Sequence, residues 1–246
     1  HGDHYLGLIG LLSSMSLLNR RKELIIYAPK GLESIVKLHL KLSYSKLSYP
    51  LKIISFKTSK LEKIFEDDSV ELFSFGLKHR IPCWGFKFIE KKRARKISKT
   101  MIDKYQIPFS SINSIKLGED YITETGDIIK NNILTTDSYM PRSYAYCSDT
   151  KYFNNLVDNI QGVDLLYHES TFHSNLSKKA TSTFHSTSKD AATVALNGKV
   201  KKLLLGHFSS RYKNLEILKK DAKKIFNNVD ISQEGKKWKI KKLYSI

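Results

Sequence analysis

The sequence contains little cysteine and no long apolar run. Its 246 residues include two cysteines, Cys83 and Cys147. Two are too few for a disulfide framework and fit a reducing, cytoplasmic location. No apolar stretch approaches the roughly 20 residues that a membrane-spanning helix needs, so we expect no membrane partner. Internal repeats and low-complexity segments are also absent from the sequence, which argues against a repeat protein.

Acidic residues are scarce relative to basic ones. The chain has 42 Lys and Arg against 24 Asp and Glu, which gives a formal net charge of +18. A polyanionic partner such as nucleic acid is the simplest reason for so strong a positive field. The competing explanation is a genome that encodes lysine-rich proteins in general. With 41% hydrophobic residues, the chain is long enough for one domain with a substantial core.

The periodicity of apolar residues predicts a mixed α/β domain. We expect helices from after His4 to about Leu18, at 32–42, in a short stretch ending at Tyr105, at 189–197 and at 215–226. We expect strands at 23–27, 51–56, 69–75, 83–89, 144–147, 165–167, 202–205 and 237–243. Strands interleaved with helices, with polar residues at the strand ends, suit an αββα sandwich.

The first four residues, His1, Gly2, Asp3 and His4, form a candidate metal-binding turn. Two imidazoles flank a carboxylate, and the apolar run 5–12 follows at once. A turn before a buried helix can present a carboxylate and a ring nitrogen to a metal ion while the helix anchors the backbone. This tetrapeptide therefore predicts half of a site whose partners lie further along.

Further His and acidic residues stand at the ends of predicted strands. Asp149 follows the strand at 144–147, Glu169 follows the apolar run 163–167, and His207 comes directly after 203–206. His185 lies in a Ser/Thr-rich loop, and His79 precedes the strand at 83–89. Because each strand end fixes one side chain, these residues suit a metal site on one rim of the sandwich.

These segments resemble the metallo-β-lactamase superfamily, and within it the ribonuclease Z family of endonucleases that trim the 3′ end of precursor tRNA. The similar segments follow the family's order over essentially the whole chain: residues 1–12, 27–31, His79 with 84–86, 148–150, 168–171, 185–187 and 206–212. The resemblance implies a metallo-β-lactamase αββα sandwich, as a single domain over 1–246, with an inserted arm.

Two features depart from the family pattern. The family's first motif reads His-x-His-x-Asp-His, and only its last four positions are present here, as His1 to His4. We therefore expect a sequence that is incomplete at its N-terminus and lacks the first strands. In the RNA-binding arm, residues 107–110 stand where the family often has a Gly-Pro pair.

The resemblance also implies a centre with two Zn²⁺ per subunit in a complete chain, Mn²⁺ being possible. Asp149 would bridge the two ions. His1 and His79 would hold the first ion together with an upstream His, and Asp3, His4 and His207 would hold the second. Two such ions about 3.5–4 Å apart can clamp a phosphodiester and generate hydroxide near neutral pH.

Three residues are implied as catalytic groups. Asp3 would orient the attacking water and accept its proton, which is the role of a general base. His185 would supply a proton to the departing oxygen. Glu169 would orient the His185 ring and favour its charged form. Cleavage would leave a 3′-hydroxyl on the tRNA.

The segment 90–118 is implied to be a basic tRNA-binding arm. Arg93, Arg95, Lys96 and Lys99 would contact backbone phosphates without reading sequence, and Arg211 is assigned to RNA binding with them. A solvated charged surface is the alternative for this run. Family members commonly form homodimers, and the helix after His4 is a candidate for that interface.

We therefore expect a zinc-dependent endoribonuclease that removes the 3′ trailer from precursor tRNA. Two alternatives stay open. One is a tRNA-binding protein with impaired catalysis, because one ligand and the opening strands are absent. The other is a metallohydrolase of small phosphodiesters, against which the basic segment argues.

Overall fold

The computed structural model describes residues 1–244 and contains one large sheet and three small ones. The strands are β1 (Leu24–Ala28), β2 (Leu51–Ser55), β3 (Glu62–Glu66), β4 (Val70–Leu77), β5 (Cys83–Glu90), β6 (Lys96–Ile97), β7 (Tyr121–Ile122), β8 (Ile128–Ile129), β9 (Thr135–Thr136), β10 (Ser143–Cys147), β11 (Leu165–Glu169), β12 (Leu203–Gly206) and β13 (Val229–Ile231). The helices are α1 (Leu6–Leu17), α2 (Leu32–Leu42), α3 (Lys99–Tyr105), α4 (Phe109–Leu117), α5 (Asn131–Leu134), α6 (Leu156–Ile160), α7 (Ser177–Ser182), α8 (Ser188–Asn197) and α9 (Glu216–Lys223).

The large sheet has seven strands in the order β13-β12-β11-β10-β5-β4-β3. Strands β10 to β13 are parallel to their neighbours, whereas β5, β4 and β3 are antiparallel to theirs. The main core lies between this sheet and the helices α6, α8 and α9. Small residues of α8, such as Ala191 and Ala195, let that helix approach Leu166 and Leu205 closely.

A second layer pair lies on the other face of the large sheet. Strands β1 and β2 form a parallel pair, and α1 and α2 pack on it around Leu12, Val36 and Tyr49. Phe56, directly after β2, stacks on Trp84 of β5 with 4.8 Å between the ring centroids. Helix, sheet, sheet and helix therefore follow one another, which confirms the predicted αββα sandwich.

Residues between β5 and β10 form an insertion with a core of its own. This insertion, defined here as residues 91–142, contains α3 to α5 and four two-residue strands. Ile107, Ile115, Tyr121 and Leu134 are buried together in it. The predicted arm at 90–118 is thus the first part of a longer, compact insertion, and its binding of tRNA stays a prediction.

The predicted strand at 237–243 is wrong. The segment has no regular secondary structure before the isolated bridge between Tyr139 and Tyr244. Arg142 donates to the Ile240 carbonyl, and the Met140 amide donates to Leu243. Its alternation of Lys with apolar residues resembles a strand, but these carbonyls bond to the insertion rather than to a strand ladder.

Candidate metal centre

Three parallel strands end at the same edge of the large sheet, and each places a polar side chain there. Asp149 follows β10, Glu169 ends β11, and His207 follows β12. Because parallel strands direct their carboxyl ends to one edge, residues far apart in sequence meet at that edge. This topology brings together the carboxylates and imidazoles predicted from the sequence.

Two further segments reach the same edge. His79 lies in the loop between β4 and β5, and its ring is 97% shielded from solvent. Residues Gly2–His4 form one turn of 3₁₀ helix before α1, which places His4 against Asp149. Five segments of the chain therefore converge on one point.

Asp149 is the centre of the cluster. Its Oδ2 atom lies 2.8 Å from His4 Nε2 and 4.0 Å from His79 Nε2. Its Oδ1 atom lies 3.0 Å from His207 Nε2. The ring of His1 stands edge-on to that of His79, with 5.0 Å between centroids. The carboxylate is thus ringed by four imidazoles.

Two groups of potential donor atoms share Asp149, and His4 belongs to neither. His1, His79 and Asp149 each offer an atom within 4.8 Å of the others. Asp149, Glu169, His185 and His207 form a second group by the same measure. Asp149 is common to both groups, as a carboxylate that bridges two ions would be, although Glu169 and His185 of the second group are hydrogen-bonded to each other.

Two buried atoms in this cluster have no hydrogen-bond partner within residues 1–244. They are His79 Nε2 and Asp149 Oδ1, although His207 Nε2 is only 3.0 Å from the latter. The other ring nitrogen of His79, Nδ1, donates to the Phe184 carbonyl at 3.0 Å, which leaves a lone pair on Nε2. Buried polar atoms without partners cost free energy, and a divalent cation would satisfy both, so the residues fit a metal site.

The backbone is strained where it presents two of these side chains. Asp149 and His207 have φ angles of 56° and 53°, in the left-handed region. Non-glycine residues rarely adopt it, and such strain persists where the surrounding structure fixes it, often at functional sites. Gly206, next to His207, has no room for a Cβ atom, which would lie 2.1 Å from the Tyr167 hydroxyl.

Glu169 is fully buried and its carboxylate is already saturated with donors. Its oxygens accept from the Thr150 and Ser186 amides at 2.7 and 3.0 Å, and from the Thr171 hydroxyl at 2.6 Å. The His185 ring donates from Nδ1 at 2.9 Å. Burial acts to raise the pKa of Glu169, but these hydrogen bonds outweigh it and the pKa is lowered. This saturation of its oxygens favours the predicted role of Glu169 as a group that orients His185.

His185 lies beside the cluster with one ring nitrogen committed to Glu169. Burial acts to lower the pKa of His185, but the hydrogen bond and charge of Glu169 outweigh burial, so the pKa is raised above its ordinary value. Its ring packs within 5.2 Å of the His79 ring and 5.4 Å of the His207 ring, centroid to centroid. The arrangement holds a proton-carrying ring next to the candidate metal site.

Curated relatives match almost the whole chain. A protein named Ribonuclease Z from Bacteroides fragilis (strain YCH46) is 43% identical over 235 residues, which are 96% of this chain and 77% of the relative. Another of that name, from Phocaeicola vulgatus, is 42% identical over 99% of this chain and 79% of its own length. The chain belongs to the ribonuclease Z family.

Solved structures agree with this fold for a ribonuclease Z. The short form of human tRNase Z has a TM-score of 0.64 at 24% identity, over 98% of this chain and 76% of that one. The metallo-β-lactamase fold protein YhfI of Bacillus subtilis has a TM-score of 0.62 at 18% identity, over 97% and 74%. Both confirm the predicted metallo-β-lactamase fold. No family model matches the chain.

In this ribonuclease Z family member, Thr171 connects two of the predicted site residues, Glu169 and His207. Its hydroxyl donates to Glu169 and lies 2.9 Å from His207 Nδ1. It can accept the proton of that ring nitrogen, which leaves Nε2 of His207 directed at Asp149. The resemblance over 168–171 includes Thr171 but implies no role for it.

Asp3 is the least enclosed of the predicted site residues. Its side chain is 75% exposed, and its Oδ2 lies 3.6 Å from His4 Nε2. It is outside both donor groups around Asp149. The structure therefore places Asp3 at the mouth of the cluster, where its role as ligand or general base stays a prediction.

The predicted RNA-binding residues are in two places. Arg93 and Lys96 line an open cleft of about 620 Å³ in the insertion, together with Arg95, Lys116, Tyr139 and Lys242. Arg95 is partly occupied, because it pairs with Asp137. Lys99 is exposed at the start of α3. Arg211 is separate: it stacks over Phe172, whose ring lies 6.3 Å from that of His185.

The sequence predicts no membrane-spanning helix, and the lengths and polarity of the helices bear on this prediction. Within residues 1–244, every helix is too short or too polar to cross a bilayer.

Proposed function

We propose that the chain is a metal-dependent endoribonuclease that removes the 3′ trailer from precursor tRNA and leaves a 3′-hydroxyl. The observation that carries this function is the convergence of His1, His4, His79 and His207 on Asp149, beside the pair His185–Glu169. Membership of the ribonuclease Z family supports the substrate. The arrangement of these side chains supports metal-dependent hydrolysis of a phosphodiester.

The proposed cofactor is a pair of zinc ions. His1 and His79 would hold one, Asp3, His4 and His207 the other, and Asp149 both. Imidazole nitrogens and carboxylate oxygens suit Zn²⁺, with Mn²⁺ as the alternative. When bound, such ions polarise water and neutralise charge on a phosphodiester.

His185 is proposed as the proton donor. In hydrolysis, a water oxygen bonds to phosphorus, the bond from phosphorus to the 3′ oxygen breaks, and that oxygen must gain a proton. The hydrogen bond and charge of Glu169 raise the pKa of His185 and so favour its charged form, while Glu169 fixes its orientation through Nδ1. Nε2 is then the atom that delivers the proton.

Asp3 is proposed as the acceptor of the proton that the attacking water loses. Its exposed carboxylate next to His4 can reach a water at the mouth of the cluster. The two acidic groups would have different tasks because their environments differ. The exposed Asp3 would receive a proton, and the buried Glu169 would stay ionised and orient His185.

The basic insertion is proposed to hold the tRNA. Arg93, Arg95, Lys96 and Lys99 would contact phosphates, and Arg211 would contact RNA at the metal centre. Phosphate contacts position RNA without reading its sequence, which suits an enzyme that must accept many tRNAs.

A homodimer is proposed through α1. This helix leaves Leu6, Leu11 and Leu17 at 66%, 50% and 87% exposure. Exposed apolar side chains on one helix favour association with another protein surface.

The test uses the full-length protein and a precursor tRNA with a labelled trailer. We expect one cut after the discriminator base, a 5′-phosphate on the trailer, loss of cleavage with a chelator, and recovery on adding zinc. Binding of precursor tRNA without cleavage, in protein loaded with zinc or manganese, would favour the non-catalytic RNA-binding protein. Cleavage of a small phosphodiester but not of precursor tRNA would favour the small-molecule hydrolase.

A further inference from the structure

Arg80 lies at the mouth of the metal centre, where its guanidinium contacts His1. It stands in the loop between β4 and β5, directly after His79. That loop is fixed to the segment that carries Asp149: the Lys78 amide donates to the Thr150 hydroxyl at 3.1 Å, and the Lys151 amide donates to the Lys78 carbonyl at 2.9 Å. These two hydrogen bonds therefore fix the position of the loop that carries Arg80 relative to Asp149.

The guanidinium of Arg80 is directed toward the cluster. Its Nη2 atom lies 3.1 Å from His1 Nε2, and the His1 ring packs against that of His79. Within residues 1–244, Arg80 forms no ion pair with a carboxylate. An exposed arginine beside imidazoles that makes no ion pair in this part of the chain is suited to an anion that arrives from solution.

The contact with His1 does not use up this arginine. A neutral imidazole has one lone pair, so His1 Nε2 cannot accept from Arg80 and bind a metal ion at the same time. Arg also has five N–H donors in a planar fork, and one contact leaves the others available. A phosphate group is the acceptor that this fork matches in two parallel hydrogen bonds.

We propose that Arg80 binds a non-bridging oxygen of the scissile phosphate and stabilises the negative charge that develops there during hydrolysis. This inference rests on the proposed function, because it names a further catalytic residue of the same site. Arg80 gives up no proton and forms no covalent bond. It acts electrostatically while the water oxygen bonds to phosphorus and the 3′ oxygen departs with a proton from His185.

The experiment compares Arg80→Ala and Arg80→Lys with the wild-type full-length protein on two substrates. One is precursor tRNA, and the other is bis(p-nitrophenyl) phosphate, which is too small to reach the insertion. We expect kcat/KM of Arg80→Ala to fall about 100-fold on both substrates, the size typical of losing one transition-state donor. Arg80→Lys retains the positive charge but lacks the planar set of N–H donors, so we expect its kcat/KM to fall about 10-fold.

Two further measurements separate this role from a structural one. Metal content per chain should equal that of the wild type, and inhibition by inorganic phosphate should weaken about 10-fold in Arg80→Ala. Arg21→Ala is the matched control, because Arg21 is an exposed arginine after the far end of α1. It should change none of these values.

Each other outcome contradicts the proposal. Loss of metal together with activity would make Arg80 a residue that positions His1. Loss on precursor tRNA alone would make it a remote RNA contact, and unchanged kinetics would leave it no catalytic role. If the wild type cleaves the small diester but not precursor tRNA, the proposed function fails while the Arg80 comparison on the diester still decides this inference.

Discussion

At the scale of single residues, the centre depends on how each ring is held by its second nitrogen. His79 donates to Phe184, His185 to Glu169, and His207 lies against Thr171. Fixing one nitrogen determines where the other points, which is how proteins orient metal ligands and proton donors. The same type of side chain can therefore serve two tasks on one rim.

The division between ligand and proton donor predicts the behaviour of His185→Ala. Cleavage of precursor tRNA should slow by roughly 100- to 10,000-fold, the usual contribution of a general acid, while metal content stays near normal. Single-turnover cleavage and elemental analysis measure the two quantities. His39→Ala removes an exposed imidazole on α2 and should leave both unchanged. Loss of zinc from His185→Ala would overturn the proton-donor assignment.

The sequence predicted the donors better than their supports. Asp149 and His207 could be picked out because each follows an apolar run in the sequence and lies in a segment that resembles the family. The support of His207 by Thr171, and of Glu169 by the Thr150 and Ser186 amides, could not be predicted. Threonines and backbone amides occur in every loop, and only the fold decides which of them meet a carboxylate.

At the scale of elements, a buried carboxylate joins α9 to the start of α8 and to the segment before α7. Asp221 of α9 is 1% exposed and accepts from the Ser188 hydroxyl at the start of α8 and from the amide and hydroxyl of Ser174. Burial acts to raise the pKa of Asp221, but these hydrogen bonds outweigh burial and the pKa is lowered. The carboxylate thus stabilises the fold only while it is ionised.

This linkage predicts a pH dependence for Asp221→Asn. A lowered folded-state pKa gives stability that is fully present above the unfolded pKa of about 3.9 and is lost as pH falls through the folded value. At pH 7 the variant should be less stable by about 1–3 kcal/mol, and the difference should shrink below about pH 4. Urea unfolding of both proteins between pH 3 and 7 checks this. A difference that is constant across this range would contradict the linkage.

The elements themselves were largely predictable. Helices α1, α2 and α8 and the strands β5, β10 and β12 lie within a few residues of the predicted bounds, because each is an apolar run or an amphipathic pattern bounded by polar residues. The segment 237–243 has strand-like alternation, yet its carbonyls bond to Arg142 and Met140 instead. The compact core of the insertion was missed because its apolar residues are spread over short helices, and no single one carries a clear period.

At the scale of the whole molecule, the basic side chains predicted to bind RNA lie in two places, one beside the metal centre and one in the insertion. Arg211 stacks beside the centre, whereas Arg93 and Lys96 line the cleft in the insertion. The insertion follows Glu90, at the end of β5 opposite to the His79 loop. We expect the remote charges to contribute to binding of a large RNA and not to the cleavage step.

This separation predicts the behaviour of a double variant, Arg93→Ala with Lys96→Ala. Affinity for precursor tRNA should fall, and the salt slope of log K should decrease in magnitude by about 1 to 2, since each phosphate contact contributes about 0.7–0.9. Hydrolysis of a small diester should be unchanged. Lys41→Ala with Lys46→Ala removes the same charge from an exposed region around the end of α2. If both double variants weakened tRNA binding equally, the loss would be due to the lower net charge of the protein and not to a binding surface in the insertion.

The most direct test is a crystal structure of the full-length protein with anomalous scattering recorded at the zinc edge. Two peaks are expected next to the Asp149 carboxylate, each about 2.0–2.2 Å from one of its oxygens and each contacted by imidazoles of the cluster. Metal ions bound elsewhere, or none in contact with Asp149, would contradict this expectation.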